Sequence, residues 1–579
     1  MTAAGLSATG VPVRIDELER LLGDPADDGN PVGYAAVLAS DERGEMCAAG
    51  ERVLDTYGLN AEFVPPEFGG RLNRLDHLIE VMRSVYRRDP CLGLGYGASS
   101  LIASVNVWTA ADERQAATVA GLLLRNGKLA CAYHELAHGN DMARTEFTAL
   151  PGPGGLLLNG RKEVVTNIQR SDALVMFVRT DTRPGSRSHS QIYVDKSAVP
   201  AGTLRYLPRF SSVGMRGVQL GGAEFTDCPL PASAVLGTAG HGLGTAMRSF
   251  QLTRIVLPAM MTGIVDTGLR TTMDFLTRRR LYGGVAIDLP YLRAALAEVF
   301  VDLLAVEAFA RTCARAVHLL PEQCSVYAAA TKYTVAGVLL PAMNQLSLVL
   351  GARSYLRAGE HGIFQKMLRD LKPVGFGHAA RAACQMTILP QLPLLANRSW
   401  SNLQLPPEAL FDPAAELPPV PFSRLAVTAR GADRLSAVLA AVETSGLDAV
   451  TARQLRGLLG WYTGQLRALS AASAVLPPAE LTVAASAEAY DLTDRYIAVL
   501  HAAACVGVWL QHRRRDAGFL SEPAWLLAAL RRIAARTGES PWDSDLPDAL
   551  TGPLVSELRS RHTAGRSFGL TDRPLADIA

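Results

Sequence analysis

The sequence predicts a mainly α protein with a small β domain set between helical regions. Apolar residues recur at helical spacing on both sides of the chain's middle. A stretch near residues 129–237 instead carries short apolar runs punctuated by Gly and Pro. A Pro-rich break then precedes a final helical block. The length, 579 residues, suits several domains. We read 1–128 as a helical domain, 129–237 as a β domain, 238–400 as a helical bundle and 401–579 as a helical extension.

In the first region, Leu18 to about Lys128, the spacing of Leu78, Ile79, Val81, Met82 and Val85 marks one apolar helix face. Val64-Pro65-Pro66-Glu67-Phe68-Gly69-Gly70 breaks it as a loop. In the β region, Asn159-Gly160 between Leu156–Leu158 and Val164–Thr166 predicts a hairpin turn. Ala173–Thr180 and Gln191–Asp195 predict further strands. Long helices are expected around Leu252–Thr277, Tyr291–Leu320 and Val326–Leu350, the pattern of a bundle. Pro390, Pro393, Pro406, Pro407, Pro418, Pro419 and Pro421 mark a linker. Beyond it, Leu455, Leu458, Leu459, Tyr462, Leu466 and Leu469 form one apolar stripe, and Tyr496, Ile497, Leu500 and Trp509 part of another; both are expected in a core.

Composition excludes several function classes. A net charge of +2 gives no reason to expect nucleic acid. The eight cysteines are scattered without a CxxC pair, so neither a disulfide framework nor a zinc ribbon is expected. Residues 1–12 lack a basic segment followed by an apolar run, so no signal peptide is read there. No apolar stretch reaches the roughly 20 residues of a membrane helix. The expected location is the cytoplasm.

His134-Glu135-Leu136-Ala137-His138 matches the HExxH pattern of zinc peptidases, in which two histidines one helical turn apart bind the metal. Gly139-Asn140-Asp141 follows at once and would break that helix, so no metal is expected. His512-Arg513-Arg514-Arg515 is a basic cluster, read as a solvated helix end in preference to a carrier-protein or phosphate contact.

A different pattern fits the same residues. His134 to Asp141 resembles the T-E-P-x-x-G-S-D signature of the acyl-CoA dehydrogenases, retaining Glu135, Gly139 and Asp141. Gly160 to Asn167 resembles that family's G-x-K-x-W-I-T-N strand, with Val164 at the aromatic position. Gly214-Met215-Arg216, Phe250 to Arg254, Phe275 to Gly283, Gly351 to Tyr355 and Arg369-Asp370-Leu371-Lys372 resemble later family motifs, in the same order. The resemblance spans roughly residues 50–380. It implies an FAD enzyme that desaturates an acyl thioester on CoA or a carrier protein. Its electron acceptor would be an electron-transfer flavoprotein or molecular oxygen, and the protein a homodimer or tetramer.

Residue by residue, the resemblance implies that Tyr133, His134, Gly139, Asn140, Val164 and Thr166 face the flavin. Arg279 would reach the pyrophosphate of a neighbouring subunit's FAD, with Tyr282 and Gly351 also at the cofactor. Thr253 and Arg254 would meet the thioester's carrier arm. Pro290 replaces a frequent Gln near the FAD. The family's catalytic Glu stands nine residues after the Arg of R-D-x-K, or just before the Arg of the carrier-arm helix. Here those positions hold His378 and Thr253. Either His378 is the base, or no base is needed, as in the decarboxylating, oxygen-using flavoenzymes that form epoxyketones in natural-product pathways. A zinc hydrolase and a non-catalytic scaffold that kept the fold are the readings from other classes.

Overall fold

The computed structural model describes residues 10–575 except Leu403, Ala517 and Ser544. The reading of residues 1–12 as free of a targeting segment therefore lies largely outside the described residues. The chain divides into two compact units, residues 1–253 and 254–579.

The first unit opens with helices α1 (Val11–Leu22), α2 (Tyr34–Arg43), α3 (Ala48–Tyr57), α4 (Leu75–Arg88), α5 (Ser99–Ala110) and α6 (Glu113–Leu124). Helix α4 shows why they form: Leu75, Leu78, Ile79, Val81, Met82 and Val85 are all buried, as their spacing predicts. Between α4 and α5 the segment Leu92–Ala98 is a π-helix. Its Gly93 has no room for a Cβ, which would lie 2.7 Å from the Tyr86 ring.

A curled seven-stranded sheet follows: β1 (Leu129–Ala132), β2 (Thr148–Gly152), β3 (Gly155–Thr166), β4 (Ala173–Arg179), β5 (His189–Asp195), β6 (Leu204–Tyr206) and β7 (Leu220–Leu230). The order is β1-β4-β2-β3-β7-β6, with β5 also paired to β4. Strand β4 is apolar from Ala173 to Val178 because both its faces are covered there. Leu174, Met176 and Val178 enter the core of the curled sheet, while Ala173, Val175 and Phe177 pack with residues of α5 and α6.

The predicted hairpin at Asn159-Gly160 is not there. Strand β3 runs straight through it, and the turn falls earlier, at residues 153–154 between β2 and β3. Asn159-Gly160 is instead a bulge: pairing with β7 shifts between Leu158 and Gly160. Gly160 adopts φ 121°, and a Cβ there would press on Phe147 at 3.1 Å from its Cα. Asn159 holds the opposite side, donating from Nδ2 to Asp227 Oδ1 at 3.1 Å and accepting the Asp227 N–H at 2.9 Å. The Asn-Gly pair signals unusual backbone, and a bulge needs that as much as a turn does.

Helix α7 (Gly242–Met260) closes the first unit and opens the second. Then come α8 (Thr262–Arg278), the short hairpin β8 (Arg280–Leu281) and β9 (Gly284–Val285), α9 (Pro290–Leu319), α10 (Cys324–Leu350), α11 (Gly362–Asp370), α12 (Arg381–Ile388) and α13 (Leu392–Arg398). The single helix expected around Leu252–Thr277 is two, broken at Met261 just after Pro258. Pro390 and Pro393, read as linker, lie at helix starts, so the irregular stretch begins only after residue 400.

Helices α14 (Ala449–Ala474), α15 (Ala487–Arg514), α16 (Pro523–Ala535) and α17 (Asp548–Thr563) make the extension, and both predicted stripes are buried. It is tied to α9 by ion pairs. Asp302, 3% exposed, accepts from Arg532 through both oxygens at 2.8 Å and from Arg536 at 2.6 Å. The basic cluster is also used internally: Arg514 pairs with Glu408 at 2.7 Å and Arg515 with Asp412 at 2.6 Å. Two stretches, Gly242–Arg278 and Pro321–Tyr355, do pass the length and composition test for a membrane span, contrary to the sequence reading. The first is 94% buried over its apolar window, as core helices are; the second is 44% buried over its window and packs on α8, α9 and α12.

Candidate active site

The His134–Asp141 segment is a turn, not a helix. The Gly139 N–H donates to the Glu135 carbonyl at 3.1 Å, and Gly139 sits at φ 52°. Space is open around it, so conformation and not crowding requires the glycine. His138 turns its Nε2 to Glu146, 3.0 Å away. Glu135 points inward. Its carboxylate accepts from Lys162 Nζ at 2.7 Å and from the N–H groups of Glu146 and Phe147 at 2.8 and 3.2 Å. The two imidazoles therefore do not converge, and among the described residues no cluster able to hold a metal includes them.

Lys162 explains the geometry of the strip beside that turn. It is fully buried and also donates to the Tyr133 carbonyl at 3.0 Å and to Thr145 Oγ1 at 3.3 Å. Burial pushes its ammonium down to about 8 despite the Glu135 carboxylate. Burial acts to raise Glu135, but Lys162 and the two backbone donors outweigh it and hold the carboxyl low. A second register shift in β3, between Lys162 and Val165, turns both of those side chains inward. Val164 and Thr166 are thereby left half-buried, one residue apart on the chain. His134 pairs with Val164 as an isolated antiparallel bridge, so His134, Val164 and Thr166 form one strip.

The strip carries unused hydrogen-bonding groups. His134 Nδ1 lies 3.2 Å from the Gly139 carbonyl, which fixes the proton on Nδ1 and leaves Nε2 an acceptor. Burial, joined by the Lys162 charge, holds the His134 imidazole below its ordinary range. Thr166 makes no side-chain hydrogen bond among the described residues. Asn167 next to it adopts φ 61° and donates from Nδ2 to the Gly95 carbonyl and, at 2.8 Å, to Ser99 Oγ. Asn167 thus fastens the end of β3 to the π-helical segment. Asn140 is exposed.

Tyr133, expected at the cofactor, has its side chain in the core. It is 3% exposed, and its hydroxyl donates to Asn106 Oδ1 at 2.8 Å. The same oxygen accepts from Ser249 at 2.5 Å and Gln191 at 3.2 Å. Thr253, at the end of the first unit, donates to the Phe250 carbonyl of its own helix at 3.2 Å.

In the second unit, Arg254 Nη1 donates to Thr387 Oγ1 at 3.2 Å, and its buried Nε has no hydrogen-bond partner among the described residues. His378 lies in the turn between a 3-10 segment (Lys372–Gly375) and α12, half-buried and at φ 65°. A non-glycine residue in that region stores roughly 1 kcal/mol or more, kept only where the surroundings fix it. Arg279 and Tyr282 lie together at the β8–β9 hairpin; Tyr282 is 94% exposed at φ 53°. Gly351 ends α10 at φ 59° with open space around it. In the sequence, Lys162 and Asn167 are visible only as the K and N of the G-x-K-x-W-I-T-N resemblance. The Tyr133–Asn106 bond joins residues 27 apart and carries no sequence signal.

Comparison with known proteins gives a consistent answer. The family described as "Acyl-CoA dehydrogenase, C-terminal domain" matches residues 240–378. Isovaleryl-CoA dehydrogenase of Solanum tuberosum is 26% identical over 346 residues, covering 58% of this chain and 80% of that one. Short-chain specific acyl-CoA dehydrogenase of Homo sapiens is 26% identical over 265 residues, 44% of this chain and 62% of its own. Among solved structures, butyryl-CoA dehydrogenase of Megasphaera elsdenii superimposes with a TM-score of 0.59 at 18% identity, over 66% of this chain and 97% of that one. The prolyl acyl carrier protein oxidase AnaB gives 0.58 at 17% identity, over 65% and 97%. Fold, motif order and relatives together place this chain in the acyl-CoA dehydrogenase superfamily, with additional helices at its C-terminal end.

Proposed function

We propose that the protein is an FAD-dependent oxidoreductase that desaturates an acyl thioester, carried on CoA or a carrier protein, with His378 as the base. The observation that carries this reading is the His378 turn. It stands at the position where the family resemblance expects the catalytic carboxylate, and its backbone is held in a conformation that costs energy to keep.

The residues present fit the cofactor. The strip of β3 offers an unpaired acceptor at His134 Nε2, an unpaired hydroxyl at Thr166 and an open glycine turn at Gly139. These suit a planar ring edged with N–H and C=O groups. Val164, in place of an aromatic residue, would lie against the ring face. Arg279 offers a forked cation suited to a pyrophosphate. With Tyr282 it protrudes at the β8–β9 hairpin, as expected of residues that reach a second copy of the chain in a homodimer or tetramer. Bound FAD would supply a two-electron acceptor for the hydrogen leaving Cβ.

The chain's own work is then to take a proton from Cα and to hold the thioester. An imidazole nitrogen of His378 accepts that proton; histidine is a competent acceptor near neutrality. Thr253 donates its hydroxyl to the Phe250 carbonyl of its own helix and carries no carboxylate, so the proton falls to His378. Arg254 would support the carrier-arm side. Exchange of the Cα proton with deuterated water tests the assignment. The wild type exchanges Cα–H of a bound acyl thioester, and His378→Gln loses that exchange while keeping bound flavin. Unchanged exchange in His378→Gln would remove His378 as base.

A further inference from the structure

The turn that carries His378 is gripped at both ends by two adjacent residues of α10. Before it, Lys332, 4% exposed, donates from Nζ to the Val374 carbonyl at 2.6 Å. After it, the guanidinium of Arg381, first residue of α12, sits 4.0 Å from the centre of the Tyr333 ring. Six residues separate the two anchors, Val374 and Arg381, so a small shift of either changes where the imidazole lies. The Arg381 end does not stand by itself. Burial and the neighbouring Asp494 carboxylate both keep the Tyr333 hydroxyl protonated, and that carboxylate accepts from Gln385 of α12 at 2.7 Å. Four residues before Asp494, the Tyr490 hydroxyl contacts Met386 Sδ at 2.8 Å. Asp494 and Tyr490 belong to α15, beyond the segment that matches the family.

We propose that the C-terminal helices are a positioning element for the His378 turn, with Asp494 of α15 as the residue that locks α10 to α12. This rests on His378 being the base. The physical logic is that a left-handed histidine is kept only by over-determined surroundings. One anchor, Lys332, comes from the bundle, and the other is completed by the extension. Asp494 is thus a positioning residue that touches neither substrate nor cofactor.

The test uses the full-length protein with its flavin bound. Asp494→Ala is expected to slow Cα exchange between about tenfold and a hundredfold, the scale of a small misplacement of a reacting group. KM for the thioester should stay within about twofold, since uniform binding is untouched. Asp494→Glu should restore most of the rate. Amide hydrogen exchange across residues 374–381 should rise in Asp494→Ala and not elsewhere in the bundle. If Asp494→Ala fails to fold, Gln385→Leu, which removes the hydrogen bond between α12 and Asp494, carries the same measurements. Wild-type exchange rates together with wild-type amide protection over 374–381 would overturn the proposal. The two readings separate cleanly. If His378→Gln keeps full Cα exchange, the base assignment fails, while amide protection in Asp494→Ala still decides the positioning role.

Discussion

Replacing Lys162 by Met should be among the most damaging single changes in the first unit. The side chain is fully buried and donates to the Glu135 carboxylate, the Tyr133 carbonyl and Thr145. Methionine fills similar space but leaves Glu135, 7% exposed, with only two backbone N–H partners. Removing one partner of a buried pair costs about 3–5 kcal/mol, because the other charge stays buried. At about 2–4 °C per kcal/mol for a unit of this size, melting should fall by roughly 6–20 °C. Glu135→Gln/Lys162→Met should recover most of the loss, since both charges are then gone.

The pH dependence has a definite sign. The folded Lys162 titrates near 8, below its ordinary 10.5. Between those values the unfolded chain binds the extra proton, so stability rises with pH there, by at most about 1.4 kcal/mol per unit. That slope should vanish in Lys162→Met. Circular-dichroism melts and guanidinium titrations from pH 6 to 10 give both quantities. A loss below about 1 kcal/mol with an unchanged pH slope would refute the reasoning, which rests on a buried charge that needs its partner.

Three further outcomes follow from particular contacts. Asp302→Ala removes the carboxylate shared by Arg532 and Arg536, leaving Arg532 paired with Glu298 at 3.1 Å, and should destabilise the second unit by about 1–3 kcal/mol, read by chemical denaturation. His501 is buried against the Phe309 ring, and burial, with the Arg536 charge, pushes it down to about 3. Stability should therefore fall as pH drops from about 6.5 towards 3, because the unfolded chain protonates first, and His501→Phe should flatten that slope. Gly160→Val should weaken the β unit, because the residue combines φ 121° with contact against Phe147; thermal melting checks it.

Much of the fold was legible because it depends on periodicity. The stripes from Leu455 to Leu469 and Tyr496 to Trp509 reported their own burial, and β4 announced itself by an unbroken apolar run. Local backbone chemistry was harder. Asn159-Gly160 said only that the chain departs from regular geometry, and the choice between turn and bulge was made by pairing with β7, which is remote in sequence. The same limit applied to the site. Motif order pointed to His134, Thr166 and His378, but the groups packed around those segments are remote in sequence. Lys162 pairs with Glu135, 27 positions before it, and the proposed anchor of the His378 turn involves Asp494, 161 positions after Tyr333. Burial of Tyr133 was also hidden, since a tyrosine with a core hydrogen bond and one at a ligand look alike in sequence. The basic run from His512 was decided by Glu408 and Asp412, about a hundred residues before it.

Bound flavin is the most direct test of the proposed function. The protein, purified without added cofactor, should be yellow, show the two-banded visible spectrum of oxidised flavin, and release FAD on denaturation in close to one equivalent per chain. Anaerobic addition of a matching acyl thioester should bleach it. A colourless protein that also fails to take up FAD by equilibrium dialysis, although folded by circular dichroism, would contradict the central claim.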